Sequence, residues 1–194
     1  MTSNKQIKVT LVGESSVGKS SICCVISKGV FEKTSATIGA EFIKFNRTYK
    51  GQQVLVSLFD TSGEERYHSI PQSYYRKSNA VIMVYDISRK ETFEQLEYWL
   101  NDVKGNCEID TIICVGNKID LERAVSKEEA LEFARRHSLI YTETSAKTFE
   151  GVEDLVNEMV AAVMESNQID ETISSNENLH IEDVSSQQTN YGCC

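Results

Sequence analysis

The run Gly13-Glu14-Ser15-Ser16-Val17-Gly18-Lys19-Ser20 follows an apolar stretch, Ile7 to Val12, that reads as a strand. Its spacing, G-x-x-x-x-G-K-S, has a mechanical reason. The glycines let backbone N–H groups curl around an anion, and the helix that follows aims its positive end at the same place. Lys19 is long enough to reach the outer phosphates of a nucleotide, and the Ser20 hydroxyl suits Mg²⁺. A strand before, a helix after and the Lys-Ser pair separate this loop from an ordinary glycine-containing turn.

Outward from that loop, Asp60-Thr61-Ser62-Gly63 closes another apolar stretch, Val54 to Phe59. An acid at a strand end can hold Mg²⁺ through water, and a glycine N–H can approach a terminal phosphate closely. Asn117-Lys118-Ile119-Asp120 follows the apolar run Thr111 to Val115. A carboxylate there can accept from both guanine N1–H and the exocyclic amine, a donor pair that adenine lacks. In a desolvated slot such a charge-assisted pair discriminates strongly. Thr144-Ser145-Ala146-Lys147 comes after the last short strand, where backbone N–H groups can meet the guanine carbonyl and Lys147 can cover the ring. A phosphate loop and a guanine-reading segment together specify a guanosine nucleotide.

Composition bounds the rest. At 194 residues and 40% hydrophobic content, the chain can bury one ordinary core. Met1 to Lys5 is polar, and no apolar run approaches the ~18 residues that span a bilayer, so neither leader nor span is expected. The six cysteines fit no zinc spacing; Cys23, Cys24, Cys107 and Cys114 read as reduced packing residues. A net charge of -9 argues against nucleic acid, which wants clustered Lys and Arg.

Short apolar runs alternate with helical patterns. Glu41 to Tyr49 and Val54 to Phe59 flank Lys50-Gly51 as a hairpin. Strand-like runs recur at Ala80 to Tyr85, Thr111 to Val115 and Leu139 to Tyr141. Phe93, Leu96, Trp99, Leu100 and Val103 share one helical face, and Ser126-x-x-Glu129 predicts a capping box. Val152, Leu155, Val156, Met159, Val160 and Val163 form another face. This order predicts an α/β fold with a mostly parallel sheet and ligands at the carboxyl ends of its strands. The domain is expected to cover residues 1–164. Residues 165–194 carry six acids (Glu165, Asp170, Glu171, Glu177, Glu182 and Asp183) and no Lys or Arg, which predicts a disordered acidic tail.

Taken together, these residues resemble the Ras superfamily of small GTPases, whose motif order residues 6–164 follow. The Rab branch fits best: Ile38-Gly39-Ala40-Glu41-Phe42 after a Thr, Tyr74-Tyr75-Arg76, Val84-Tyr85-Asp86, Trp99 and a terminal Cys193-Cys194. The resemblance implies a P-loop, three-layer sandwich with six strands and one antiparallel edge pair, and a monomer that binds GTP or GDP with Mg²⁺. It implies nucleotide contacts from Gly13, Ser15, Ser16, Val17, Gly18, Lys19, Ser20, Ser21, Phe31, Thr37, Gly63, Asn117, Lys118, Asp120, Ser145, Ala146 and Lys147. Mg²⁺ would be held by Ser20, Thr37 and Asp60. Thr37 and Gly63 would meet the GTP form only, so two switch segments, around 34–42 and 63–75, relax on hydrolysis. The switches, with Phe42, Phe59 and Tyr74, would receive exchange factors, GTPase-activating proteins, escort proteins and effectors.

Three positions depart from the family pattern. Phe31, which would lie against the guanine edge, stands six residues before Thr37, one fewer than usual in Rab proteins. Phe59 replaces the usual Trp. Glu64 replaces the Gln whose amide orients the attacking water, bringing negative charge toward the γ-phosphate. At ~4 Å and an effective dielectric near 20, that repulsion is at most ~4 kcal/mol, and half of it costs more than tenfold in rate. Slow hydrolysis, with Glu64, Lys19 and Gly63 as the catalytic set, is the expectation. Activating partners that bring their own Gln and Arg would still accelerate it. Tyr191-Gly192-Cys193-Cys194 is not a C-a-a-X box; it is similar to the Rab ending that takes two geranylgeranyl chains, giving stable attachment to the cytoplasmic face of an internal membrane beside a cytosolic pool. Two other classes stay open: a GTP-dependent scaffold with negligible hydrolysis, and a P-loop ATPase or small-molecule kinase.

Overall fold

The strand that feeds the Gly13 loop is the centre of the molecule. In the computed structural model, which describes residues 5–32, 40–61 and 78–166, β1 (Lys5–Val12) lies between β3 (Gln52–Thr61) and β4 (Ala80–Asp86), parallel to both. Beyond β4 come β5 (Thr111–Asn117) and β6 (Ile140–Thr144), again parallel. β2 (Ala40–Tyr49) pairs antiparallel with β3 at the far edge, so the order is β2-β3-β1-β4-β5-β6. This is the α/β sheet expected, with its one antiparallel edge. The hairpin turns at Lys50-Gly51, where both residues hold positive φ (47° and 80°), the backbone of a tight two-residue turn.

Strand periodicity builds two cores from one sheet. Ala80, Ile82 and Val84 of β4 and Ile113 and Val115 of β5 point to one face. There they meet Ile22, Cys23 and Val25 of α1 (Lys19–Lys28) and the stripe Val152, Leu155, Val156, Met159, Val160 and Val163 of α5 (Val152–Glu165). Val81, Met83 and Tyr85 point the other way, with Ile112 and Cys114. They pack against Phe93 of α2 (Lys90–Glu94), Leu96, Trp99, Leu100 and Val103 of α3 (Leu96–Asn106), and Ala130 and Phe133 of α4 (Lys127–His137). The result is three layers.

Two local readings need correction. The stripe from Phe93 to Val103 is carried by two helices rather than one, separated at Gln95. The capping box is only half formed: the Ser126 hydroxyl accepts from the Glu129 N–H at 3.1 Å, but the Glu129 carboxylate pairs with Lys90 at 2.7 Å, linking α4 to α2. The cysteines behave as packing residues. Cys23, Cys24 and Cys114 are buried and Cys107 half-buried, all four as free thiols; burial pushes the Cys114 thiol up to about 12, far from reactivity at neutral pH. His137 lies against the Phe133 ring and 3.1 Å from Glu97. Among the described residues no helix is long and apolar enough to cross a membrane.

Candidate functional site

Because β1, β3, β4, β5 and β6 run parallel, their carboxyl ends open onto one edge of the sheet. Each ends in a residue already singled out or adjacent to one: Val12 before the loop, Asp60 and Thr61, Asp86, Asn117 and Thr144. This is the crevice where doubly wound sheets bind ligands.

Gly13 and Gly18 have no alternative here. Their φ values are 136° and 104°; a Cβ would strike the Val84 carbonyl at Gly13 and the Asn117 side chain at Gly18. Val17 is buried and anchors the loop in the core, while Ser15 and Ser16 are exposed. Ser16 itself sits at φ 62°, a left-handed conformation costly for a residue with a Cβ. Lys19, 4% exposed, folds back over the loop; its ammonium donates to the Gly13 carbonyl and, at 3.0 Å, to that of Glu14. Ser20 and Ser21 lie in the first turn of α1, next to the positive end of the helix. The Glu14 carboxylate accepts from Trp99 Nε1 at 3.3 Å, so α3 steadies the loop from the other side.

Asp60 is 1% exposed at the end of β3, in register with Leu11, and the neighbouring Thr61 hydroxyl donates to the Leu11 carbonyl at 2.8 Å. The buried Asp60 carboxylate and the Ser20 hydroxyl at the start of α1 are hard oxygen donors, the chemistry that Mg²⁺ prefers. The residues fit that ion.

The segment after β5 is fastened to the Gly13–Gly18 loop by Asn117. Its amide donates to the Val17 carbonyl at 2.8 Å, while its Oδ1 accepts from the Thr144 hydroxyl at 3.1 Å and the Ala146 N–H at 3.3 Å. One buried side chain thus ties three separate segments. Asp120 projects beyond it. The Ser145 hydroxyl donates to Asp120 Oδ1 at 2.6 Å, and Lys147 lies 3.5 Å from Oδ2. The Ser145 bond first, and Lys147 after it, hold the Asp120 carboxyl below its ordinary value, so it is an anion at neutral pH. Lys118, at φ 69°, bridges the Ser16 carbonyl (2.7 Å) and Asp86 (2.6 Å). Burial opposes ionisation of Asp86, but bonds from Lys118 and Ser88 outweigh it. Behind the Asp120 loop, Arg123 grips Glu143 through two bonds of 2.8 Å, and Glu143 accepts from Tyr141 at 2.7 Å.

Gly13, Val17, Gly18, Lys19, Asn117, Lys118, Asp120, Ser145, Ala146 and Lys147 are therefore one connected assembly. Phe31, beyond the end of α1, is 38% exposed. Thr37, Gly63, Glu64, Tyr74, Cys193 and Cys194 lie outside the described residues. Residue patterns alone missed the bracing acids and bases: Asp86 stood only as part of a resemblance, and Arg89 and Glu143 carried no signal. An acid ending a buried strand, as Asp60 does, was the available clue for Asp86.

A phosphate loop joined through buried amide bonds to a carboxylate suited to guanine defines a P-loop guanine-nucleotide protein. Residues 8–165 match the model of the Ras family. The chain is similar to Ras-related protein Rab-18 of Caenorhabditis briggsae, 39% identical over 164 residues that cover 82% of this chain and 81% of that one. It is 35% identical to Ras-related protein Rab-18-B of Danio rerio over 192 residues, covering 97% and 93%, and 38% identical to the Rab-18 of Lymnaea stagnalis over 174, covering 88% and 86%. The chain belongs to the Ras family, in its Rab branch: a small GTPase that hydrolyses GTP and acts as a switch in vesicle trafficking. Proteins of this family use Mg²⁺ with GTP and work with regulators and effectors in association with membranes.

Proposed function

We propose that the chain holds GTP along the Gly13–Ser20 loop, with Asp120 selecting guanine, and that it hydrolyses the γ-phosphate slowly. The observation that supports this most is the Asn117 linkage, which sets the loop and the Asp120 carboxylate at a fixed separation. Ser15, Ser16, Val17, Gly18, Ser20 and Ser21 surround the phosphates, and Ser145, Ala146 and Lys147 close over the base beside Phe31. Lys19, already poised among the loop carbonyls, neutralises charge that develops as water attacks in line. Ser20, Thr37 and Asp60 are the oxygen donors for Mg²⁺, which when bound supplies further charge neutralisation. The γ-phosphate contact is assigned to Gly63 and the water-orienting role to Glu64, both by their positions in the sequence.

Glu64 favours a long-lived GTP state and keeps a second reading in play, a scaffold whose own turnover is negligible. Single-turnover hydrolysis separates outcomes: Glu64→Gln is expected to be at least tenfold faster than the parent, by relief of about half of the ~4 kcal/mol repulsion. Equal rates would remove the slow-hydrolysis reading. Residues 1–164 form the switch domain, and 165–194 a tail that carries two prenyl chains on Cys193 and Cys194. Two chains hold a protein at a bilayer where one does not. Replacing both cysteines should release the protein from the cytoplasmic face of its membrane; retention there would count against the anchor.

A further inference from the structure

Every carbonyl from Gly13 to Val17 accepts a hydrogen bond from a side chain. Lys19 serves Gly13 and Glu14, Arg89 Nη2 serves Ser15 at 3.0 Å, Lys118 serves Ser16 at 2.7 Å and Asn117 serves Val17 at 2.8 Å. A trans peptide points its C=O and its N–H in opposite directions. A carbonyl pulled outward therefore turns the next residue's N–H inward, so fixing Ser15, Ser16 and Val17 aims the N–H groups of Ser16, Val17 and Gly18 into the cradle.

Three of these donors belong to the phosphate and base motifs. Arg89 does not; it precedes α2, and its contact with the loop spans 74 positions. Its Nε lies 3.2 Å from Asp86 Oδ2, the same oxygen that Lys118 approaches at 2.6 Å. Asp86 is 1% exposed and further fixed by the Ser88 N–H (3.0 Å) and hydroxyl (2.6 Å). One buried carboxylate thus braces two cations, and each cation holds one of two successive loop carbonyls. The planar fork of a guanidinium can meet the acid and the carbonyl together.

We infer that Arg89 is a positioning residue for nucleotide binding: braced on Asp86, it holds the Ser15 carbonyl outward and so presets the Ser16 N–H for a phosphate oxygen. The inference rests on the reading that this loop carries the phosphates. Arg89 would act through the Ser15 carbonyl and so change the surroundings of the bound phosphates, which a purely structural role for its side chain at the start of α2 would not.

The test uses the full chain, its Arg89→Ala and Arg89→Lys variants, fluorescent GDP dissociation, and phosphorus NMR of bound GDP. Losing one preset N–H should speed GDP release in Arg89→Ala on the order of tenfold, the scale of one hydrogen bond. The diphosphate resonances should move, the GTP-over-ATP preference should stay, and Arg89→Lys should restore part of the slow release. Release within twofold of the parent together with unmoved resonances would overturn the inference. If Arg89→Ala does not fold, Arg89→Gln decides by the same criteria. A parent chain that retains no GDP would overturn the loop reading and this inference with it.

Discussion

Asp120 and Ser145 show how much chemistry one hydroxyl carries. The carboxylate stays ionised and aimed because Ser145 donates to it at 2.6 Å while Lys147 lies on its other oxygen. Ser145→Ala should cost about 1.5–3 kcal/mol of guanine-nucleotide affinity, the worth of a hydrogen bond to a charged group. Titration with fluorescent GDP checks this, and unaltered affinity would mean that Lys147 alone suffices. Asp120 was legible because its chemistry is local: an acid three residues after the end of a buried strand, within the segment Asn117-Lys118-Ile119-Asp120. Asn117 was legible as part of the motif but not in its role. That it reaches Val17, Thr144 and Ala146 depends on strand order, which brings together positions as far as 100 residues apart. Glu143 was silent for the same reason.

At the scale of elements, periodicity was enough wherever one face is buried. The α5 stripe emerges with the six residues expected, because a helix against a sheet buries every third or fourth residue. The division at Gln95 was not legible, since the apolar spacing runs on through it. Half of the Ser126 box was misread because tertiary contact with Lys90 takes the Glu129 side chain away from its own helix end. The remaining half should still count: Ser126→Ala is expected to lower stability by about 1 kcal/mol, the usual worth of an N-cap, without altering nucleotide preference. Urea unfolding measures it. Leu100, 1% exposed in the core between the sheet and α3, sets the comparison; Leu100→Ala should cost about 2–5 kcal/mol, including the cavity left behind. A cap effect as large as that of Leu100 would contradict the assignment of only one bond to Ser126.

For the molecule as a whole, the anions that brace the site also set its acid limit. Asp86 and Asp120 titrate below the ordinary 3.8, and Glu143 below 4.5. For Glu143 burial works against ionisation, and the Arg123 and Tyr141 bonds overcome it. The unfolded chain takes up protons at higher pH than the folded one, so this stabilisation is present above the ordinary values and lost as pH falls through the depressed ones. Unfolding free energy should therefore drop as pH falls through and below the ordinary carboxylate range, and Glu143→Gln should flatten part of that slope. An identical slope in the variant would contradict the sign. The layered sheet and its antiparallel edge were readable from strand–helix alternation and the family likeness, because both follow from short-range pattern. The web of braces behind the loop was not, because it exists only once five strand ends share one edge.

On the function proposed, one crevice holds the phosphates at Lys19 and the base at Asp120. Competition against fluorescent GDP on the purified chain tests it most directly. GTP should displace the label at near-equal concentration, while ATP should need an excess on the order of 10⁴-fold, as expected where a buried polar group would be left unmatched. Displacement by ATP and GTP at the same concentration would contradict the account.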